Sequence, residues 1–183
     1  MRNAWRRISF GLLGTGMIVA MTAGAAAGAA SAAVASPRHA ALRPAALSWP
    51  SVQKGAKGER VRTIQYLLSQ RGYKVTIDGT FGTTTQAAVI KFQKKAGVTA
   101  DGIVGSTTWP KLIVTVKSGS KGDAVRAVQH SLRHQYGYTS LKVDGSFGTA
   151  TVTAVKGFQT KYKLAADGIV GAATWNALIG HEL

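Results

Sequence analysis

The residues able to do acid–base or metal chemistry are few in this chain: seven Asp plus Glu, four His and no Cys among 183 residues. Without cysteine there is no thiolate nucleophile, no thiolate metal ligand and no disulfide. Four of the acids, Asp78, Asp101, Asp144 and Asp167, each open an Asp-Gly-x-x-Gly run. An aspartate in such a turn bonds nearby backbone N–H groups, which is a structural task. Glu59 and Asp123 stand at the start of helical patterns, where negative charge complements the helix dipole. Glu182 lies beside the last residue. No carboxylate pair is left over for glycoside cleavage. His130 and His134 are four apart on a helical pattern, a spacing that lets two imidazoles share a metal. No Glu stands between them to act as base, and they are read as surface histidines. No serine sits in a nucleophile-elbow pattern. The chain is therefore read as a non-enzyme that needs no cofactor and no metal.

The other polar residues of interest are those that occur twice at matching places. Arg62 and Gln65 are three apart, hence neighbours on one helix face, and Arg126 and Gln129 repeat them. A guanidinium fork suits a carboxylate, and a glutamine amide suits an amide. Tyr73 and Tyr138 each follow a glycine that ends a helix, and a tyrosine can stack on a sugar or pack on a peptide. Gln93 and Gln159 each follow a core phenylalanine; for these, capping of loop backbone is the first reading and ligand contact the second. These eight form the candidate ligand-binding set.

Their recurrence reflects an internal repeat. Residues 57 to 113 run parallel to 121 to 179, at a shift of 64 up to Leu68/Leu132, 65 at Gly72-Tyr73/Gly137-Tyr138 and 66 from Asp78/Asp144 onward. The two extra residues of the second copy fall before the Asp-Gly turn, where a surface loop tolerates them. Each copy reads as three helices. The first buries Val61, Ile64, Leu67 and Leu68 and stops near Gly72. The second spans about 83 to 96, with Ala88, Val89, Phe92 and Ala96 on one stripe. The third is short, about 106 to 113, and buries Trp109 and Leu112. Pro110 falls in its first turn, where a missing N–H matters less. The Asp-Gly-x-x-Gly turns enter the second and third helices of each copy. Their glycines are read as holding backbone shapes closed to other residues, so that Gly82→Val would clash.

The pattern resembles the peptidoglycan-binding domain found beside amidases, carboxypeptidases and lytic enzymes. The first copy carries Val61, Ile64-Gln65, Leu68, Gly72-Tyr73, Asp78 to Gly82, Thr85, Ala88-Val89, Phe92-Gln93, Asp101 to Gly105, Thr108-Trp109 and Leu112; the second carries the matching set from Val125 to Leu178. Two departures stand out. The usual Leu before Gln is Ile64 or Val128, a volume-tolerant change in a core, and the Pro often found after the turn is Thr83 or Thr149. The resemblance implies an all-α fold: two tandem three-helix peptidoglycan-binding-like modules after a signal peptide. It implies peptidoglycan or an associated anionic wall polymer as partner. Relatives of the module also serve as protein-contact domains, so docking on a separate secreted hydrolase stands as the alternative.

The N-terminus is read as an export signal. Arg2, Arg6 and Arg7 precede an apolar stretch from Ile8 to Met21, then a Gly/Ala run closing in Ala33-Val34-Ala35. A basic head, a short apolar region and small residues at −3 and −1 make a secretory signal cut after Ala35. A retained anchor needs about 20 apolar residues, more than this stretch offers. Expected segments are thus 1–35 signal peptide, 36–50 linker, 51–114 first module and 115–183 second module, the modules folding independently. After cleavage 20 basic residues face seven acidic ones, a formal +13. Such an excess attracts an anionic partner. Export and the scatter of the lysines argue against nucleic acid. The protein is expected to be secreted and wall-associated, with no stable membrane anchor.

Overall fold

Apolar residues at helical spacing build the first helix, α1 (Glu59–Gln70), which buries Val61, Ile64, Leu67 and Leu68. In the computed structural model, which describes residues 47–180, five further helices follow: α2 (Thr83–Ala96), α3 (Trp109–Leu112), α4 (Asp123–His134), α5 (Thr149–Lys161) and α6 (Ala172–Gly180). The expected signal peptide and most of the linker lie outside the described residues. Among these residues no helix is long and apolar enough to cross a membrane.

Local chemistry sets the helix ends. Gly97 closes α2 in the left-handed conformation, φ 68°, a shape glycine takes without a Cβ penalty. The third helix of the first copy is shorter than its sequence suggests, four residues against nine in α6. Pro110 is the cause. It has no N–H to give the carbonyl of Ser106, so the α-helical ladder cannot begin there. In the second copy Asn176 replaces it, and the helix runs from Ala172.

Each copy is closed by a strap. Val52 pairs with Val104 and Lys57 with Thr80 in isolated antiparallel bridges; Val116 with Val170 and Lys121 with Ser146 repeat this. The buried indole of Trp109 donates to the Pro50 carbonyl at 2.8 Å, and that of Trp175 donates to Val114 at 2.8 Å. Trp49 stacks on Trp109, with ring centroids 6.0 Å apart. The end of the expected linker is therefore part of the first copy. Residues 114 to 121 likewise belong to the fold of the second.

The expected independence of the copies gives way to a shared core. The buried apolar residues of both copies form one cluster. Antiparallel packing of α1 on α4 joins them. Near the start of α1, Glu59 Oε2 lies 2.6 Å from His130 Nδ1, close to the end of α4. Near the end of α1, Ser69 Oγ donates to Asp123 Oδ2 at 2.6 Å, at the start of α4. Beside the first of these contacts the buried hydroxyls of Thr63 and Ser131 lie 3.4 Å apart. The Gln70 side chain accepts the Ala124 N–H at 3.1 Å, filling a donor that a helix start leaves open. A copy of about 60 residues without disulfides is close to the lower limit for folding alone, so burying a helix face against a twin relieves that limit.

Two consequences are measurable. Limited proteolysis of the intact protein should leave 47–180 as one resistant fragment, because 114 to 121 is bonded strap rather than loose linker. Placing arginines at the buried contact, Thr63→Arg with Ser131→Arg, should part the copies, lower the melting temperature and expose the segment near 114 to 121 to cleavage.

Candidate functional site

The four glutamines of the candidate set anchor the four turns. Gln65 is buried, 1% exposed. Its Nε2 donates to Asp78 Oδ1 at 2.8 Å, to the Thr80 carbonyl at 3.0 Å and to Thr85 Oγ1 at 3.3 Å. Its Oε1 accepts the Gly79 N–H at 2.8 Å. Asp78 Oδ1 in turn accepts the Thr80 N–H at 2.8 Å. The same lock forms with Gln93 on Asp101, Gly102, Ile103 and Thr108. Gln129 repeats it on Asp144 and Gly145, and Gln159 on Asp167 and Gly168. A buried amide with its hydrogen-bonding positions filled has nothing to offer a ligand. The ligand contact expected of Gln65, Gln93, Gln129 and Gln159 is therefore corrected to an internal role.

The arginines brace the same turns from outside. Arg62 donates to Glu59 at 3.3 Å and to the Ile77 and Asp78 carbonyls at 3.1 and 3.4 Å. Arg126 donates to Asp123 at 2.8 Å and to the Asp144 carbonyl at 3.4 Å. So Arg62 and Gln65, though adjacent on α1, face different tasks and do not converge on one ligand. Both arginines keep an exposed edge. Of the histidines, His130 is held by Glu59, and its ring centroid lies 4.2 Å from that of His134.

Tyr73 and Tyr138 each line a surface hollow. Tyr73 meets Phe92 edge-on, centroids 6.1 Å apart. Around it a hollow of about 520 Å³ runs from Ser69 to Thr84, and a second of about 400 Å³ extends along α2 past Ala87 to Lys91. The two share Tyr73, Lys74 and Thr84 and form one groove between the loop after α1 and the first half of α2. In the second copy Tyr138, Leu141, Thr149, Ala150 and Thr153 line a hollow of about 320 Å³ at the matching place. Partial burial pushes the Tyr138 phenol up from its ordinary pKa, so it remains a neutral hydroxyl. Its oxygen lies close to Gly157, where a Cβ would come within 3.0 Å of it. Lys74 and Lys91 put two cations on the first groove. None of the residues lining the second hollow is charged. Because each tyrosine follows the end of its own helix and α1 and α4 are antiparallel, the grooves lie at opposite ends of the pair, about 18 Å apart along a twelve-residue helix. The groove residues on α2 and α5, such as Thr84 and Thr153, were missed in the sequence because they differ between the copies.

Residues 57–112 and 121–178 match the peptidoglycan binding domain family. The chain belongs to that family. Among its curated relatives is a Bacillus licheniformis protein named "Probable N-acetylmuramoyl-L-alanine amidase", 37% identical over 67% of this chain and 43% of its own length. Another is the zinc D-Ala-D-Ala carboxypeptidase of Streptomyces albus G, 45% identical over 40% of this chain and 28% of its own. The chain thus spans less than half of either relative. A solved peptidoglycan-binding protein of Clostridioides difficile is 48% identical, covering 34% of this chain and 40% of its own, with a TM-score of 0.34.

The turns generate two predictions. Gly79 has φ +74°, and a Cβ there would meet Arg62 Nη2 at 3.1 Å and the Gly58 carbonyl at 3.3 Å. Gly82 has φ −84° and ψ −172°, extended backbone that any residue adopts, with nothing within 4 Å of a Cβ. The clash expected at Gly82 is thus misplaced by three residues. Gly79→Ala should cost roughly 1–3 kcal/mol in denaturant unfolding, and Gly82→Ala should change stability by under about 0.5 kcal/mol.

The second concerns acid. The Gln65 amide and the Thr80 N–H hold Asp78 below the usual carboxylate range. Backbone N–H groups of Ile103, Ser146 and Ile169, with the partner glutamines, do the same for Asp101, Asp144 and Asp167. For Glu59 burial pushes upward, but bonds to His130 and Arg62 outweigh it and leave the carboxyl low. A depressed folded pKa gives stability that is whole above the unfolded value, about 4 for these groups, and is lost as pH falls through the folded values. Melting temperature should therefore drop below about pH 4, less steeply in Asp78→Asn.

Proposed function

We propose that the protein is an exported, non-catalytic peptidoglycan binder that engages the wall through the tyrosine groove of each copy. What supports this most directly is the repetition of one groove, with Tyr73 and Tyr138 at matching places, in two copies of a peptidoglycan-binding domain. Each groove pairs an aromatic ring with hydroxyl and small apolar side chains, a lining suited to sugars and short peptides. Cleavage after Ala35 would release a chain of formal charge +13, attracted to an anionic wall before any groove is filled. Because the copies are packed together, two-site binding acts through a fixed separation instead of a flexible tether. The gain in affinity then depends on wall sites matching that separation.

The secreted form should sediment with purified sacculi. Part of the binding should fall away with salt, since the Debye length shrinks to about 3 Å at 1 M. The part that survives 1 M salt should drop in Tyr73→Ala combined with Tyr138→Ala, and stay in a control, Lys121→Ala. No reducing sugar or free amine should be released. Complete loss in high salt, with the tyrosine pair no weaker than the control, would leave charge attraction alone. Failure to sediment at low salt would favour docking on a separate wall hydrolase.

A further inference from the structure

Three of the differences between the copies fall together. Position 71 is Arg in the first copy and its match, position 136, is Tyr; position 96 is Ala and its match, 162, is Tyr; position 111 is Lys and its match, 177, is Ala. In the first copy all three positions line one hollow, which Tyr73 shares with the groove. In the second copy that spot is filled. Tyr136 is buried and donates to the Ala177 and Leu178 carbonyls at 3.2 and 2.9 Å. It meets Phe158 and Tyr162 with centroids 4.8 and 5.6 Å away. In the first copy the spot is open, a cavity of about 450 Å³.

Arg71 takes over the capping role of Tyr136. Its Nε donates to the Leu112 carbonyl at 3.1 Å and its Nη2 to Ile113 at 2.9 Å, with the guanidinium 5.6 Å from the Phe92 centroid. Those bonds use two of five donors and fix the group in place. Among the described residues Arg71 makes no ion pair. Lys95 and Lys111 stand on the same rim, no acidic residue lines the cavity, and its floor includes Tyr73, Phe92 and Val114. An arginine held by two carbonyls and a ring, beside two lysines over an apolar floor, matches an anionic head on a small apolar body. A polyol phosphate has no such body; a peptide ending in small aliphatic residues and a free carboxylate does.

We propose that the first copy alone carries a second site, which binds the terminal carboxylate of a short wall peptide through Arg71, Lys95 and Lys111. This rests on wall binding as the function, and it makes the copies unequal: the second was sealed with tyrosines where the first reads a chain end.

The test is nuclear magnetic resonance titration of the secreted form with N-acetyl-D-alanyl-D-alanine, its C-terminal amide and inorganic phosphate. The free acid should shift the backbone signals of Arg71, Lys95 and Lys111 and leave those of Tyr136, Lys161 and Ala177 in place. The amide should bind about tenfold more weakly, the loss of one charge-assisted contact. Ala96→Tyr with Lys111→Ala, which fills the cavity and removes one of its cations, should abolish the shifts. Lys95→Gln with Lys111→Gln changes only exposed residues and should weaken binding, so the proposal stays testable if the filled variant unfolds. Equal binding of acid and amide, equal shifts by phosphate, or no shift at all would each overturn it. Sedimentation with sacculi in the same preparations separates the two ideas: sedimentation without shifts ends the second site and leaves wall binding standing, and loss of both ends both.

Discussion

A buried glutamine amide holds each turn of this protein, and most of the fold follows from that contact. The Asp-Gly turn has no regular ladder to satisfy its backbone, and an orphaned buried polar group costs about 1–3 kcal/mol. One side chain from the preceding helix supplies the answer: its oxygen takes the glycine N–H, and its nitrogen meets the aspartate, a turn carbonyl and the threonine of the next helix. The helix before the turn, the turn and the helix after it are thereby fixed to one another. Four repetitions fix all six helices. The turn also positions a strap, since Thr80 and Ser146 are the residues that pair with Lys57 and Lys121.

Pairing of the copies follows from size. A three-helix unit with one fully buried Trp and two buried Phe residues buries little, and α1 is forced to use a second face. Thr63 and Ser131 touch across that face, and Glu59 and Asp123 end it with bonds to His130 and Ser69. Charge at helix starts thus does two jobs, complementing the dipole of its own helix and tying it to the end of the other. The antiparallel arrangement puts the tyrosine grooves at opposite ends of the helix pair.

Much of the fold was legible because its determinants are local. The period of Val61, Ile64 and Leu68, the stop at Gly97 and the repeated Asp-Gly runs need no knowledge of distant residues. What escaped was non-local. Nothing in the sequence around Thr63 marks it as an interface residue, and Trp49 looks like linker until its stacking on Trp109 is seen. The site is less legible in the sequence for a related reason. A residue repeated in both copies suggests a ligand contact, yet repetition is what a shared fold demands. Gln65 and its three counterparts are repeated because the turn cannot close without them. Arg62 and Arg126 are repeated because they brace the same carbonyls. The tyrosines differ from these in being only partly buried, each lining a surface hollow.

It follows that in a tandem repeat, differences carry the better functional signal. Positions that hold the module together must agree between copies, so a coordinated disagreement marks a place released from that duty. Arg71 and Tyr136 make this concrete. Both cap the carbonyls at the end of the third helix of their copy, so the structural task is conserved while its chemistry is not. The tyrosine does the task with an apolar body and needs neighbours such as Phe158 and Tyr162 to cover it. The arginine does it with a charge, which burial would penalise, and so its surroundings remain open to water and to an anion. Ala96 leaves the space that Tyr162 fills, and Lys111 adds a cation where Ala177 adds none. Capping by arginine therefore costs the first copy a sealed core edge and leaves it a charged cavity that the second copy does not have.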